Sequence, residues 1–242
     1  MIKTIAVFIA VITASNLVAQ RRRAVEPPRL PVAIYLTFDF NNGENGWVAG
    51  FADYSPITDG MDLQSGIAPI PVEAASGSGF MLHGNNHSDD LFMFLKRRIG
   101  AAEGVRPFGQ YVIDYEIRLV SPAPQGCGGI GGAPGESVYL KAGGSGPEPR
   151  VDLVDGHYRM TVDIGAQSQG GTAASLVSDI TNGLPCTGYP LYAPIVRSHR
   201  HAQVVQAGPD GTLWLLVGTD SGFEGITTLY YQQIDVTLTP VQ

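Results

Sequence analysis

The chain has little charge, few cysteines and no long apolar run after its first residues. Asp, Glu, Lys and Arg make up 15% of the 242 residues, against about 25% in ordinary globular proteins. Low charge, together with 31 Gly and 17 Pro, excludes a long coiled coil. A hydrophobic content of 44% is enough for a folded core and argues against a disordered chain. The formal charge of −7 argues against broad affinity for nucleic acid or anionic membranes.

The first 19 residues have the layout of a secretory signal peptide. Lys3 precedes the apolar run Ile5–Ile12, and Leu17–Ala19 forms a small-residue cleavage site. The run is far shorter than the ~20 residues that a membrane-spanning helix needs. We therefore predict a signal peptide over residues 1–19, a basic, proline-rich linker over 20–32 and one domain over 33–242. The mature chain is expected to have no membrane span and to be secreted, to the periplasm or beyond.

The two cysteines fit an exported protein. An oxidising compartment favours pairing Cys127 with Cys186. Closing this loop would stabilise the fold by about 4 kcal/mol in the chain-entropy model. The alternative, a catalytic cysteine, would need a partnering histidine, and no such signature surrounds either residue.

Alternation of polar and apolar residues predicts many strands. It runs through residues 34–40, 111–119, 158–164 and 230–238, which is typical of strands with one buried face. In the last segment we expect Tyr230 to share the face of Ile234, opposite Tyr231 and Asp235. Residues Pro209–Gly211 predict a hairpin turn between strands over Ala202–Gln206 and Leu213–Val217. The fold class is therefore all-β, a single antiparallel sandwich of jelly-roll type, with at most one short helix over Thr172–Asn182.

Both ends of this domain resemble a known family. Residues Phe38–Trp47, FDFNNGENGW, resemble the opening strand of jelly-roll carbohydrate-binding modules, and Thr228–Leu238, TLYYQQIDVTL, resemble their closing strand. The resemblance implies that the first and last strands are neighbours and that acidic side chains from both ends hold a structural calcium ion. Its ligands here would be Asp39, Asn41, Glu44 and Asp235. The chain departs from the family in having Gln232 and Gln233 where Asp is usual.

Sugar binding requires aromatic rings for the apolar sugar faces, with amides and acids for the hydroxyl groups. Trp47 and Tyr54 lie in Gly-rich or Pro-rich contexts and are the predicted stacking residues, with Asn85 and Asn86 as polar ligand-binding partners. Tyr189 and Tyr192 are further candidates, whereas Trp214 lies in an apolar run and is expected in the core.

Histidines offer a different metal site. His199 and His201 are two residues apart, so both rings face the same side of an extended strand. Together with His83 and His87, and a carboxylate such as Asp90, they would suit a metal such as zinc. Arg197 and Arg200 argue against this, because their charges repel a cation.

The sequence favours a secreted, non-catalytic module whose partner is an extracellular glycan or polysaccharide. The first alternative is an extracellular hydrolase that uses a metal or two carboxylates. Its candidate acids include Glu116, Glu136, Asp152 and Glu224, and Asp114 shares the wet face of one strand with Glu116. The second alternative is a structural or adhesive surface protein.

Overall fold

The structure, a computed structural model, describes residues 32–71, 73–87 and 90–241. The predicted signal peptide and all of the linker except Val32 lie outside these ranges. The described residues are almost entirely β-strand and loop. The strands are β1 (Ile34–Asp39), β2 (Trp47–Ala52), β3 (Gln64–Pro69), β4 (Ser78–Asn85), β5 (Leu91–Ile99), β6 (Gln110–Ser121), β7 (Val138–Ser145), β8 (Val151–Val154), β9 (His157–Met160), β10 (Ser175–Asp179), β11 (Ala193–Arg200), β12 (Val205–Gln206), β13 (Leu213–Ser221) and β14 (Ile226–Pro240).

Seven strands form the large sheet, in the order β11-β6-β14-β4-β3, with β1 alongside β14 and β12 alongside β6. The long strand β14 pairs with β6 along one edge. Its other edge is shared by β4, opposite Ile226–Tyr231, and by β1, opposite Gln233–Leu238. The first and last strands are thus neighbours, as the family resemblance implied.

Five strands form the small sheet, in the order β10-β7-β13-β5-β2. The apolar members of each alternating strand face one another between the two sheets, and Phe80, Ile117, Leu215 and Ile234 are among the fully or almost fully buried side chains there. All pairings among the described strands are antiparallel. The predicted antiparallel β-sandwich is therefore confirmed.

The outer face of the small sheet is covered as well. The hairpin β8–β9 and the loop that follows it bring Ile164 onto Phe92, Phe94 and Leu216, which form a second apolar cluster. A fully buried ion pair lies beside this cluster, with Lys141 Nζ 2.8 Å from Asp220 Oδ2. The outer face of the small sheet is therefore shielded from solvent at these residues.

The predicted helix over Thr172–Asn182 is wrong. Ser175–Asp179 form β10, which pairs with the edge of β7 through a bulge between Leu176 and Ser178. The bulge spoils the period-two pattern, and the free edge of β7 supplies the backbone partners that a helix would have made internally. The helical structure in the described chain is a 3₁₀ turn over Phe40–Asn42, and no helix there is long and apolar enough to cross a membrane.

A second bulge changes the expected face of one tyrosine. The register of β14 against β6 shifts between Tyr231 and Gln233. An extra residue reverses the alternation, so Tyr231 is fully buried with Ile234 while Tyr230 points outward. The prediction that Tyr230 shares the face of Ile234 was therefore wrong.

One local prediction is confirmed and two are corrected. Cys127 and Cys186 form a disulfide, with Cα atoms 5.3 Å apart. The turn at Pro209–Gly211 is present, closed by a bond from Gly211 N–H to Gly208 O at 3.0 Å. It does not join a hairpin, because β12 pairs with β6 in the large sheet and β13 pairs with β5 and β7 in the small one. Trp214 is only partly buried, because it faces outward from β13 and lies under Lys96 Nζ, 5.3 Å from the ring centroid.

Candidate functional site: the outer face of the large sheet

The predicted stacking residues are not a ligand platform. Trp47 is 1% exposed and packs edge-on against Phe38, with ring centroids 5.4 Å apart. Its Gly-rich flanks come from a tight turn rather than from an exposed loop, so its predicted role in stacking is corrected. Tyr54 packs on Tyr158 at 5.0 Å. Backbone bonds from Tyr158 N–H to Tyr54 O and from Asp53 N–H to Tyr158 O hold the β8–β9 hairpin beside the end of β2.

The two predicted amides bind protein groups. Asn85 Nδ2 lies 2.7 Å from His87 Nε2. Asn86 is 2% exposed, and its side-chain amide donates to the carbonyls of Ser221 and Phe223, both at 3.0 Å. Asn86 thus ties β4 to the end of β13, which corrects its expected contact with a ligand.

The predicted calcium ligands make local hydrogen bonds or lie in an exposed turn. Asp39 caps the 3₁₀ turn and accepts from the backbone and side-chain amides of Asn41, each at 2.9 Å. Asp235 lies on β14 opposite Thr37 and accepts from Gln233, while Glu44 is in an exposed turn. Within the described ranges, no three His, Cys, Asp or Glu side chains lie close enough to hold a metal ion.

The four histidines do not share one hydrogen-bonded group, and His87 contacts Asn85 and Gly60 rather than His83. His83 contacts Thr228 Oγ1 at 2.6 Å and Asp62 Oδ2 at 3.2 Å on the outside of β4. His199 Nε2 and His201 Nδ1 both contact Ser175 Oγ, at 2.7 and 2.8 Å, where β10 meets β11. The two rings do share one side of the strand, as expected. Burial lowers the pKa of both rings, which favours neutral imidazoles in a structural network.

The outer face of the large sheet is open and mostly polar, whereas that of the small sheet is covered. On β1, β14, β6 and β11 the apolar side chains point into the core, so the intervening polar ones form rows across the sheet. The pairing of the strands aligns three such rows. They are Tyr35–Thr237–Asp114–Arg200, Thr37–Asp235–Glu116–Ser198 and Asp39–Gln233–Arg118–Val196.

A shallow depression of about 300 Å³ lies in the middle of this grid. Its polar lining side chains are three carboxylates and two hydroxyls, those of Asp114, Glu116, Asp235, Ser198 and Thr237. Tyr35, which is 76% exposed, stands beside Thr237 at the edge of the depression. The surface therefore combines hydrogen-bond acceptors, hydroxyl groups and an aromatic ring.

Each carboxylate of the depression accepts a hydrogen bond from a neighbouring side chain but can accept further hydrogen bonds. Arg200 Nε donates to Asp114 at 2.7 Å, and Arg118 Nε donates to Glu116 at 3.1 Å. Asp235 and Glu116 are directly opposite one another, an arrangement of like charges that destabilises a sheet. An ionised carboxylate accepts about four hydrogen bonds, so these groups can take several more from a ligand.

Aromatic groups also stand at the other end of the face. Tyr230 on β14 and Tyr192 pack edge-to-face, with centroids 5.9 Å apart. Burial raises the pKa of both phenols, so they are neutral at physiological pH. At ~3.3 Å per residue, about 20 Å of β14 separates this pair from Tyr35. Polar groups thus lie between aromatic contacts at two ends.

Several residues of this face were missed as ligand contacts although their pattern was visible. The alternation in β1 and β6 marked Tyr35, Asp114 and Glu116 as wet-face residues. What the sequence could not show is the register that sets Glu116 beside Asp235, because this depends on which strands pair.

Comparisons with known proteins give only distant structural likenesses. No family model and no curated protein matches the chain. The structure is similar to the K1 cleaved adhesin domain of Lys-gingipain from Porphyromonas gingivalis W83, at 9% identity over 84% of this chain and 96% of that one, with a TM-score of 0.37. It is also similar to a family 27 carbohydrate-binding module from Caldicellulosiruptor saccharolyticus solved with mannohexaose, at 9% identity over 82% and 95%, TM-score 0.35. A cyclase from Fischerella sp. matches at 10% identity over 90% and 93%, TM-score 0.36. The neighbours thus include the family that the terminal segments resemble, but scores this low carry no functional conclusion.

Proposed function

We propose that the protein binds a glycan chain along the outer face of the large sheet. The observation that carries this proposal is the depression lined by Asp114, Glu116 and Asp235, with Tyr35 exposed at its edge. The apolar face of a sugar ring stacks on Tyr35, and its hydroxyl groups donate to the carboxylates. Arg118 and Arg200 supply donors for the ring and glycosidic oxygens.

The test is binding of the purified protein to a panel of soluble polysaccharides, followed by titration of the best binder. Tyr35→Ala should weaken binding at least tenfold, which is about 1.4 kcal/mol, and Asp235→Asn should weaken it as well. Leu153→Ala and Asp152→Asn are matched controls, because both residues are exposed on the separate β8–β9 hairpin. Absence of glycan binding by the wild type, or equal binding by all variants, would refute the proposal.

One observation favours the hydrolase alternative enough to test it. Glu116 and Asp235 are directly opposite residues, and such pairs have Cβ atoms about 4.5–5.5 Å apart. Retaining glycosidases place two carboxyl groups at about 5–5.5 Å. Release of reducing ends from the bound polysaccharide, abolished in Glu116→Gln, would support catalysis, whereas binding without release would leave a binding module.

The remaining sequence predictions stay proposals with their own tests. Export to the periplasm or beyond rests on residues 1–19 and is supported by the disulfide, since disulfides persist in oxidising compartments. Calcium binding would be supported by a melting temperature that falls in excess chelator and removed by an unchanged one. Self-association in light scattering would support the adhesive alternative.

A further inference from the structure

A groove with two lobes crosses one end of the sandwich, where the β5–β6, β7–β8 and β12–β13 loops meet. The larger lobe, of about 610 Å³, has apolar walls from Phe108, Pro147, Ala207 and Pro209. The smaller lobe, of about 410 Å³, is lined by Arg98 and Glu103. Asp210 and Thr212 line both lobes, so the apolar lobe and the polar lobe lie on either side of these two residues.

Phe108 occupies an unfavourable backbone conformation at the rim of this groove. Gly109 N–H donates to Arg106 O at 2.9 Å, which closes a turn with Pro107 and Phe108 at its centre. Phe108 has a φ of 56°, in the left-handed region where such turns normally have glycine and where a bulky residue is strained. The ring is 61% exposed, so core packing does not compensate for the strain.

The two loops that hold Phe108 are linked to each other. Phe108 N–H donates to Gly208 O at 3.1 Å, and Arg106 N–H donates to Tyr111 Oη at 2.9 Å. A Cβ on Gly211 would stand 3.3 Å from Pro107, so the loops are also in close contact there. The backbone that carries the exposed ring is therefore fixed before any ligand arrives, which lowers the entropy lost on binding.

The ridge between the lobes carries an oriented donor and acceptor. Arg98 Nη2 donates to Thr212 Oγ1 at 2.7 Å and lies 3.5 Å from Asp210 Oδ2. The two charged side chains are 61% and 62% exposed, so both keep hydrogen-bonding capacity toward the groove. Their opposite charges balance, which favours an uncharged ligand with many hydroxyl groups over an acidic or a basic chain.

We propose that this end groove is a second glycan-binding site, in which a neutral sugar ring stacks on Phe108 and its hydroxyl groups bind Asp210 and Arg98. The next sugar unit lies over the polar lobe. The ligand class rests on the proposed function, but the site and its residues are distinct from the outer face of the large sheet.

The deciding variant is Phe108→Gly, because it removes the ring and relieves the strained turn at once. We expect its melting temperature to equal or exceed that of the wild type. Its affinity for the polysaccharide should fall at least tenfold, or, with a short oligosaccharide, one of two binding sites should be lost. Phe108→Tyr should keep the affinity. Asp155→Gly is the matched control, since Asp155 also has a positive φ, of 50°, in a remote hairpin, and should leave binding unchanged.

The outcomes separate this inference from the proposed function. Unchanged affinity and stoichiometry in Phe108→Gly, with binding lost in Tyr35→Ala, overturns the end groove and keeps the outer face. A lower melting temperature in Phe108→Gly also overturns it, because Phe108 would then serve packing. Loss of binding in Phe108→Gly alone supports the groove and removes the outer face. A wild type that binds no glycan overturns both.

Discussion

Replacing Lys141 with methionine should strongly destabilise the domain. Lys141 is fully buried, and its Nζ donates to Asp220 Oδ2 and to Ile164 O, each at 2.8 Å. Methionine keeps the length and apolar stem of the side chain but has no charge and no donor. The variant leaves Asp220, which is 1% exposed, as a buried negative charge without its ammonium partner.

The size of the effect follows from the burial of both partners. Removing one member of a buried ion pair costs about 3–5 kcal/mol, because the other charge stays in a low-dielectric site. For a domain of this size, such a loss lowers the melting temperature by about 6–20 °C. Chemical denaturation followed by fluorescence or circular dichroism, with thermal melts alongside, measures both quantities.

Two further variants test the reasoning. Lys141→Met combined with Asp220→Asn should recover much of the loss, because no uncompensated charge is then buried. Arg200→Met breaks an exposed, solvent-screened pair with Asp114 and should change stability far less than Lys141→Met does. A Lys141→Met variant that unfolds at the same denaturant concentration as Arg200→Met would show that the buried pair does not anchor this face of the sheet.

Burial, with the nearby charges of Asp220 and Asp53, raises the pKa of Asp90 to about 8. Between about pH 4 and pH 8 the folded state keeps a proton on Asp90 that the unfolded state has released, so the stability of the domain decreases as the pH rises through this range. Asp90→Asn should therefore stabilise the domain more at pH 8 than at pH 5. The pKa values of His199 and His201 are lowered by burial, so the unfolded state binds protons that the folded state does not, and stability should decrease as the pH is lowered below about 6.5. His201→Gln should reduce this loss of stability, as measured by thermal melts at a series of pH values. Replacing Cys127 and Cys186 with serine should cost about 4 kcal/mol relative to the oxidised wild type, and the reduced wild type should unfold together with the variant.

The fold was predictable because its main strands alternate cleanly. In β1 and β6 every second residue is apolar, so one face is buried whatever the pairing partner. Where a bulge inserts a residue, in β14 before Gln233 and in β10 after Leu176, the same reasoning failed, and it assigned Tyr230 to the wrong face and a helix to residues that form a strand. A bulge depends on the neighbouring strand, which local sequence does not reveal.

The candidate site was less predictable than the fold, because local composition does not determine burial. Trp47 and Asn86 lie in Gly-rich and Asn-rich segments that look like exposed loops, yet both side chains are buried. Trp47 packs against Phe38 and Phe40, and Asn86 binds carbonyls more than 130 residues away. Conversely, Phe108 has no neighbouring motif that marks it. Its importance depends on a positive φ and on contacts with a loop 100 residues further along the chain.

The pairing of β1 with β14 also determines how the domain bears mechanical load. Ile34 lies opposite Leu238, so the two ends of the described chain leave the sandwich side by side. Tension applied between them pulls β1 and β14 apart at the Ile34–Leu238 end, and the interstrand hydrogen bonds break one after another rather than together. The domain should therefore open at low force when stretched through its ends, with β1 detaching from β14 first.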